Sequence, residues 1–232
     1  MQIGFNRIFL FLTLLSLLLS LGGCQAKAAS DTEEQEFLDE LTFLGDSITA
    51  HMQQRASIRP DQVWATKDRY LNLDSRITYA QIVAPDTGKE EPIATVAARL
   101  KPRYLVITLG IDYGVYYYRD KPQTFRLYYE KLIDAIQAAS PDTKLLLQSV
   151  FPVAGSSAVI TNDMINRANT VIRAIAEDRG LLYVDQNAVL RDAEGFLRPE
   201  YCYSEDGIHL TAAAYDAILA HLKSMESEIK ML

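Results

Sequence analysis

The sequence predicts a three-layer α/β/α fold built on a doubly wound, mostly parallel sheet of about five strands. Three observations carry this expectation. Apolar runs at Leu41–Leu44, Tyr104–Leu109, Leu145–Leu147 and Leu181–Val184 lack polar alternation, as strands buried on both faces do. Helical spacing fills the chain between them: Phe125, Tyr128, Tyr129, Leu132, Ile136 and Ala139 recur at steps of three and four, as do Met164, Ile165, Ala168, Val171, Ile172 and Ile175. Beyond the polar stretch after Cys24 there is no repeat, low-complexity tract or internal linker, so one domain of roughly two hundred residues is expected.

The N-terminus carries an address. Arg7 precedes an apolar run, Ile8 to Leu21, which leads into Gly22-Gly23-Cys24. The run falls short of the ~20 residues of a comfortable membrane span and exits through small residues, as a cleaved export signal does. Leu21-Gly22-Gly23-Cys24 looks like a bacterial lipobox, which implies a signal peptide over residues 1–23 and a diacylated Cys24. Two acyl chains hold a protein stably at a bilayer where one is marginal, so a membrane-anchored, extracytoplasmic lipoprotein is expected. Residues 24–36, polar and acidic, read as a flexible tether, and residues 37–232 as the folded domain. With Cys24 lipidated, no second cysteine remains for Cys202 to bridge to, and no disulfide framework is implied. A net charge of −7 argues against nucleic acid as a partner and leaves membrane residence to the anchor.

The first apolar run ends in Gly45-Asp46-Ser47-Ile48-Thr49. A helix beginning around Ile48 puts Ser47 at its mouth, where unpaired backbone N–H groups favour developing negative charge. Its own N–H is a candidate oxyanion donor, although serine there can also be a plain N-cap. Asp46 reads as a structural turn residue that bonds nearby N–H groups. Of the three histidines, His51 lies one turn along the same helix and reads as solvent-facing. His221 falls in the closing amphipathic helix marked by Tyr215, Ile218, Leu219 and Leu222, and reads as a surface residue. His209 stands in Asp206-Gly207-Ile208-His209-Leu210, with a carboxylate three residues upstream and Thr211 able to cap the next helix. A serine hydroxyl needs an imidazole to take its proton and a carboxylate to fix the imidazole's tautomer; Ser47, His209 and Asp206 fill those roles.

Gly-Asp-Ser near the start of the domain and Asp-x-x-His near its end, in that order, resemble the SGNH/GDSL hydrolases, a family of esterases, lipases and carbohydrate deacetylases. The resemblance runs from about Leu41 to the C-terminus. It implies a flavodoxin-like layering and cofactor-free acyl transfer. It also brings a second segment to the site, because family members carry Gly-x-Asn-Asp after the third strand with the asparagine donating to the oxyanion. The aligned stretch in this chain is Leu109-Gly110-Ile111-Asp112-Tyr113, which gives Gly110 and Asp112, with Ser47, as the oxyanion and substrate-binding residues.

Asp112 therefore stands where the family carries asparagine. An ionised carboxylate cannot donate, and losing one such donor costs roughly 2.7–4 kcal/mol in acyl transfer. At about 4 Å from the oxyanion and an effective dielectric near 20 it would add about 4 kcal/mol of repulsion. A protonated Asp112 could donate, which predicts an acidic pH optimum; otherwise it points elsewhere or the site no longer hydrolyses. The family's second-block glycine is also missing, since no glycine occurs between Trp64 and Ile82, and residues 67–75 must hold the equivalent loop.

Tyr113, Tyr116, Tyr117 and Tyr118 crowd the loop after the third strand, with Trp64 and Tyr70 on the segment expected to face it. They either stack on sugar rings and line an acyl pocket or cover the sheet edge and the helix beginning near Thr124. Arg69, Arg76 and Arg119 either recognise an anionic group or stay solvated. The sequence has no His-Glu-x-x-His, no Cys-x-x-Cys, no calcium-loop spacing and no Gly-rich phosphate loop, so no metal or cofactor is expected. The expectation is a surface-tethered serine esterase acting on an acylated carbohydrate. A catalytically weakened binding lipoprotein and an O-acyltransferase with the same nucleophile are the alternatives.

Overall fold

Five parallel strands form the central sheet: β1 (Leu41–Gly45), β2 (Val63–Trp64), β5 (Tyr104–Thr108), β6 (Lys144–Gln148) and β7 (Leu182–Val184), in the spatial order β2-β1-β5-β6-β7. The structure, a computed structural model, describes residues 35–203 and 205–232. The chain divides into two units, residues 1–38 and 39–232, and the sheet and its helices belong to the second. The signal peptide, Cys24 and nearly all of the expected tether lie outside the described residues.

β5 is buried along its whole length because it lies inside the sheet between β1 and β6, which is why its sequence, Tyr-Leu-Val-Ile-Thr, shows no alternation. Helices α2 (Ile93–Leu100), α3 (Pro122–Ala139) and α4 (Asn162–Arg179) pack side by side on one face. On the other, α1 (Ser47–Arg55) and α5 (Gln186–Leu190) each pack against α6 (Ala212–Ser224), which α7 (Glu226–Ile229) follows. This is the expected three-layer arrangement. The strand order reverses between β1 and β5, and ligands of such sheets gather beyond the strands' carboxyl ends at that switch point. Ser47 follows β1 and Asp112 follows β5 there.

Three short strands depart from the sequence reading. β2 has only two residues, while β3 (Gln81–Val83) pairs antiparallel with β4 (Glu90–Pro92) as a separate hairpin. None is long enough to show a period, and Glu90-Glu91-Pro92 has poor strand composition. Helix α3 opens at Pro122, ahead of Thr124, because proline suits the first turn, where its missing N–H costs nothing. Leu181 stays outside β7, its N–H donating to Ala176 O as α4 ends on Gly180.

Candidate active site

The corner around Ser47 is shaped by close backbone approach. Gly45 lies opposite Thr108 across the β1–β5 pair, and a Cβ on it would come within 2.2 Å of Thr108 O. Only glycine fits. Asp46 then turns its side chain away from its own helix and reaches across to β5: its Oδ2 accepts Gly110 N–H at 2.9 Å and Ile111 N–H at 2.8 Å. Asp46 is thus a buried tie between the two strand ends. Gly110, expected among the oxyanion and substrate-binding residues, has φ 134° and gives its N–H to that tie.

Ser47 is the first residue of α1 and almost wholly buried, at 5% exposure. Both of its polar groups go to one partner. Its N–H donates to Asp112 Oδ2 at 2.9 Å and its hydroxyl to Asp112 Oδ1 at 2.8 Å. The Ser47 hydroxyl proton is therefore directed at Asp112. A carboxylate seated on Ser47 N–H also occupies the place where an oxyanion would be received. Burial raises the Asp112 carboxyl above the ordinary range, against the lowering effect of Ser47's two bonds and of His209. Burial and the neighbouring Asp112 likewise raise Asp46, against its backbone N–H partners.

The other half of the site is a local turn. Asp206 Oδ1 accepts the N–H groups of Ile208 at 2.8 Å and His209 at 3.3 Å, while Oδ2 binds His209 Nδ1 at 2.6 Å. Gly207 permits this with φ 72°, and its carbonyl accepts Ala154 N–H at 2.8 Å, tying the turn to the loop after β6. Thr211 caps α6 by accepting Ala214 N–H at 3.3 Å, fixing the chain just beyond His209. The Asp206–His209 pair leaves Nε2 as the nitrogen for proton transfer.

His51 does not face solvent alone, because its ring packs edge-on against His209 with centroids 4.8 Å apart. Periodicity on one helix carried no signal for a contact with a residue so far along the chain. His221 is half-buried, its Nδ1 3.1 Å from Gln186 Oε1.

The segment opposite Asp112 holds no glycine, yet Arg69 adopts the left-handed conformation that favours one, at φ 66°. Its N–H donates to Thr66 O at 3.0 Å, so Arg69 closes a turn. Leu73 N–H donates to Tyr113 O at 3.0 Å, joining this loop to the one that carries Asp112. The loop borders a cavity of about 720 Å³ lined in part by Asp68, Tyr70, Asn72, Tyr79 and Gln81. Asp68 is close enough to Asp112 to act on its charge. Trp64 is buried in β2, so it is not a wall of this cavity. The tyrosines after β5 pack on one another: Tyr113 stacks on Tyr117 at 4.0 Å and Tyr118 meets Tyr128 of α3. Arg76 pairs with Asp74 and Arg119 with Asp120 and Tyr116.

Comparison with known proteins decides the family. The model of the GDSL-like lipase/acylhydrolase family matches residues 43–217, from β1 into α6. The chain belongs to that family. The match takes in Ser47, Asp112, Asp206 and His209 together, and the GDSL hydrolase fold is what the strand order and layers show. Solved structures share the architecture at low identity. A putative platelet activating factor from Streptococcus pneumonia has a TM-score of 0.54 at 17% identity, covering 92% of this chain and 99% of its own. A putative acylhydrolase from Bacteroides fragilis gives 0.51 at 16%, over 81% and 86%. A carbohydrate esterase family 3 structure from Talaromyces cellulolyticus gives 0.50 at 17%, over 83% and 98%. The search of curated proteins returns no match.

Proposed function

We propose that this GDSL-family protein is a serine esterase that removes an acyl group, acetyl in the first place, from a carbohydrate, and that a lipid on Cys24 tethers it outside the cytoplasm. The observation that carries the enzymatic reading is the Asp206–His209 bond of 2.6 Å, with the His209 ring against His51 of the helix that Ser47 opens and near enough to act on the charge of Asp112, the partner of Ser47. In the acting form Asp112 holds a proton. Ser47 Oγ attacks the ester carbonyl while His209 Nε2 takes the hydroxyl proton and Asp206 supports the imidazolium. The tetrahedral oxyanion accepts Ser47 N–H and the Asp112 O–H. His209 returns the proton to the departing sugar hydroxyl, and water repeats the sequence on the acyl-serine.

The carbohydrate side of the proposal draws on the cavity along residues 66–81, which neither Ser47 nor His209 lines but whose Asp68 acts on the charge of Asp112, with Tyr70 and Tyr79 exposed at it and Asn72 and Gln81 on its wall. Flat aromatic faces with amide side chains suit a sugar. Relatives of the same fold include the carbohydrate esterase named above and a peptidoglycan O-acetylesterase with a TM-score of 0.50 at 11% identity, over 60% of this chain and 41% of its own. A second reading, a binding lipoprotein with a silenced site, is favoured by the hold of Asp112 on Ser47.

The test is hydrolysis of p-nitrophenyl acetate by the full chain in detergent, from mildly acidic to mildly alkaline pH, beside Ser47→Ala and Asp112→Asn. We expect turnover that rises toward acid and vanishes in Ser47→Ala. No turnover until Asp112→Asn restores it would select the binding protein instead. Acceptor-dependent turnover would mark a transferase. For the anchor, radiolabelled palmitate should enter the wild type and not Cys24→Ala.

A further inference from the structure

On the esterase reading, we infer that His51 and Arg55, one and two turns along the nucleophile's own helix, are positioning residues for His209. Asp206 grips the His209 ring at a single atom, Nδ1, so the ring can still swing about that bond. His51 closes the swing. Its ring meets that of His209 at 4.8 Å between centroids with an interplanar angle of 61°. Arg55 fixes the backbone on both flanks: its Nη1 donates to Leu210 O at 3.0 Å, and its guanidinium lies 3.6 Å from the ring centroid of Tyr203, whose N–H donates to His209 O at 2.7 Å. Tyr215 secures the start of the helix, its hydroxyl donating to Ile48 O at 2.7 Å. One rigid helix therefore carries the nucleophile and sets the place of its base.

The chemistry of His51 suits a wall better than a second base. Its Nδ1 is buried without a hydrogen-bond partner, so packing and not a polar bond holds the ring. Burial opposes its charge most, followed by Arg55, His209 and Arg69, while Asp206 favours it; the outcome is a pKa lowered to about 4. When His209 takes the serine proton, its neighbour stays neutral and does not compete.

Full-length His51→Ala, His51→Phe and Arg55→Met test the inference against the wild type. Misplacing a base by a fraction of an ångström to one ångström costs roughly ten- to a hundredfold, so His51→Ala and Arg55→Met should lower kcat on p-nitrophenyl acetate by about that factor. KM should hold, and the acid limb of the pH–kcat profile should move. His51→Phe, which keeps a neutral flat ring, should recover most of the loss. The proton between His209 Nδ1 and Asp206, read by NMR without any turnover, should shift or broaden in His51→Ala and return in His51→Phe. Unchanged kcat, pH profile and proton resonance in His51→Ala would overturn the inference, as would a Phe variant no better than Ala. If the wild type hydrolyses no ester, a resonance that responds to His51→Ala keeps the positioning role while the esterase reading falls; one that does not respond overturns it.

Discussion

The two halves of the site are built in opposite ways. In the Asp206–His209 turn, the carboxylate's partners Ile208 and His209 lie within three residues, and the side chains of Asp206 and His209 remain 42% and 26% exposed. In the Ser47 corner, the partners lie 64 to 65 residues apart and Asp46 and Ser47 are 2% and 5% exposed. Water supports the charge of the first half, whereas in the second the fold alone decides which group is charged. On the proposed esterase reading, the base is held by its own turn while the state of the nucleophile is set by a residue from another strand end.

The largest effect should come from breaking the local half. Asp206→Asn leaves the turn but supports the wrong tautomer, and a fall in kcat of about 10⁴ is expected, as such a change gives in serine proteases; a loss under tenfold, with melting temperature unchanged, would mean that the turn does not orient the base. Next is the buried half. Asp112→Asn returns a donor and frees the Ser47 hydroxyl proton for His209, so kcat at neutral pH should rise by about 10²–10³; an unchanged rate in a folded variant would remove Asp112 from the oxyanion site.

Stability should separate the halves as well. Burial raises the carboxyls of Asp46 and Asp112, so the folded chain keeps protons that the unfolded chain releases. Their contribution to stability is full below the ordinary carboxylate range and is lost as pH climbs through the raised values. Melting temperature should fall from mildly acidic to mildly alkaline pH, and less steeply in Asp112→Asn; equal slopes would argue against a strained pair. The smallest effect is at the facing loop, where Arg69→Gly should relieve the left-handed turn and add up to about 1 kcal/mol in denaturant melts; a destabilised variant would show that the arginine side chain is itself needed.

The sequence alone settled the strands that form the sheet interior, since β5 and β6 are continuous apolar runs because both faces are covered. It also gave the closing helix and its Thr211 cap, which follow from spacing and a neighbouring hydroxyl. The Asp206–His209 pair was legible for the same reason: three residues of turn bring the two side chains together whatever the rest of the chain does. Helix periodicity placed His51 correctly on α1 but said nothing of the His209 ring it meets, which arrives from another part of the chain.

Tertiary structure alone decided the partner of Ser47. That residue follows β1 and Asp112 follows β5, and only the parallel pairing of those strands, with Gly45 opposite Thr108, brings a carboxylate onto the serine N–H and hydroxyl. It decided as well that Gly110 serves Asp46 and that Arg69 takes a conformation which composition would assign to glycine. Local chemistry fixes what acts within a few residues along the chain; the protonation and hydrogen-bond allegiance of buried groups depend on strands that meet only once the sheet has formed.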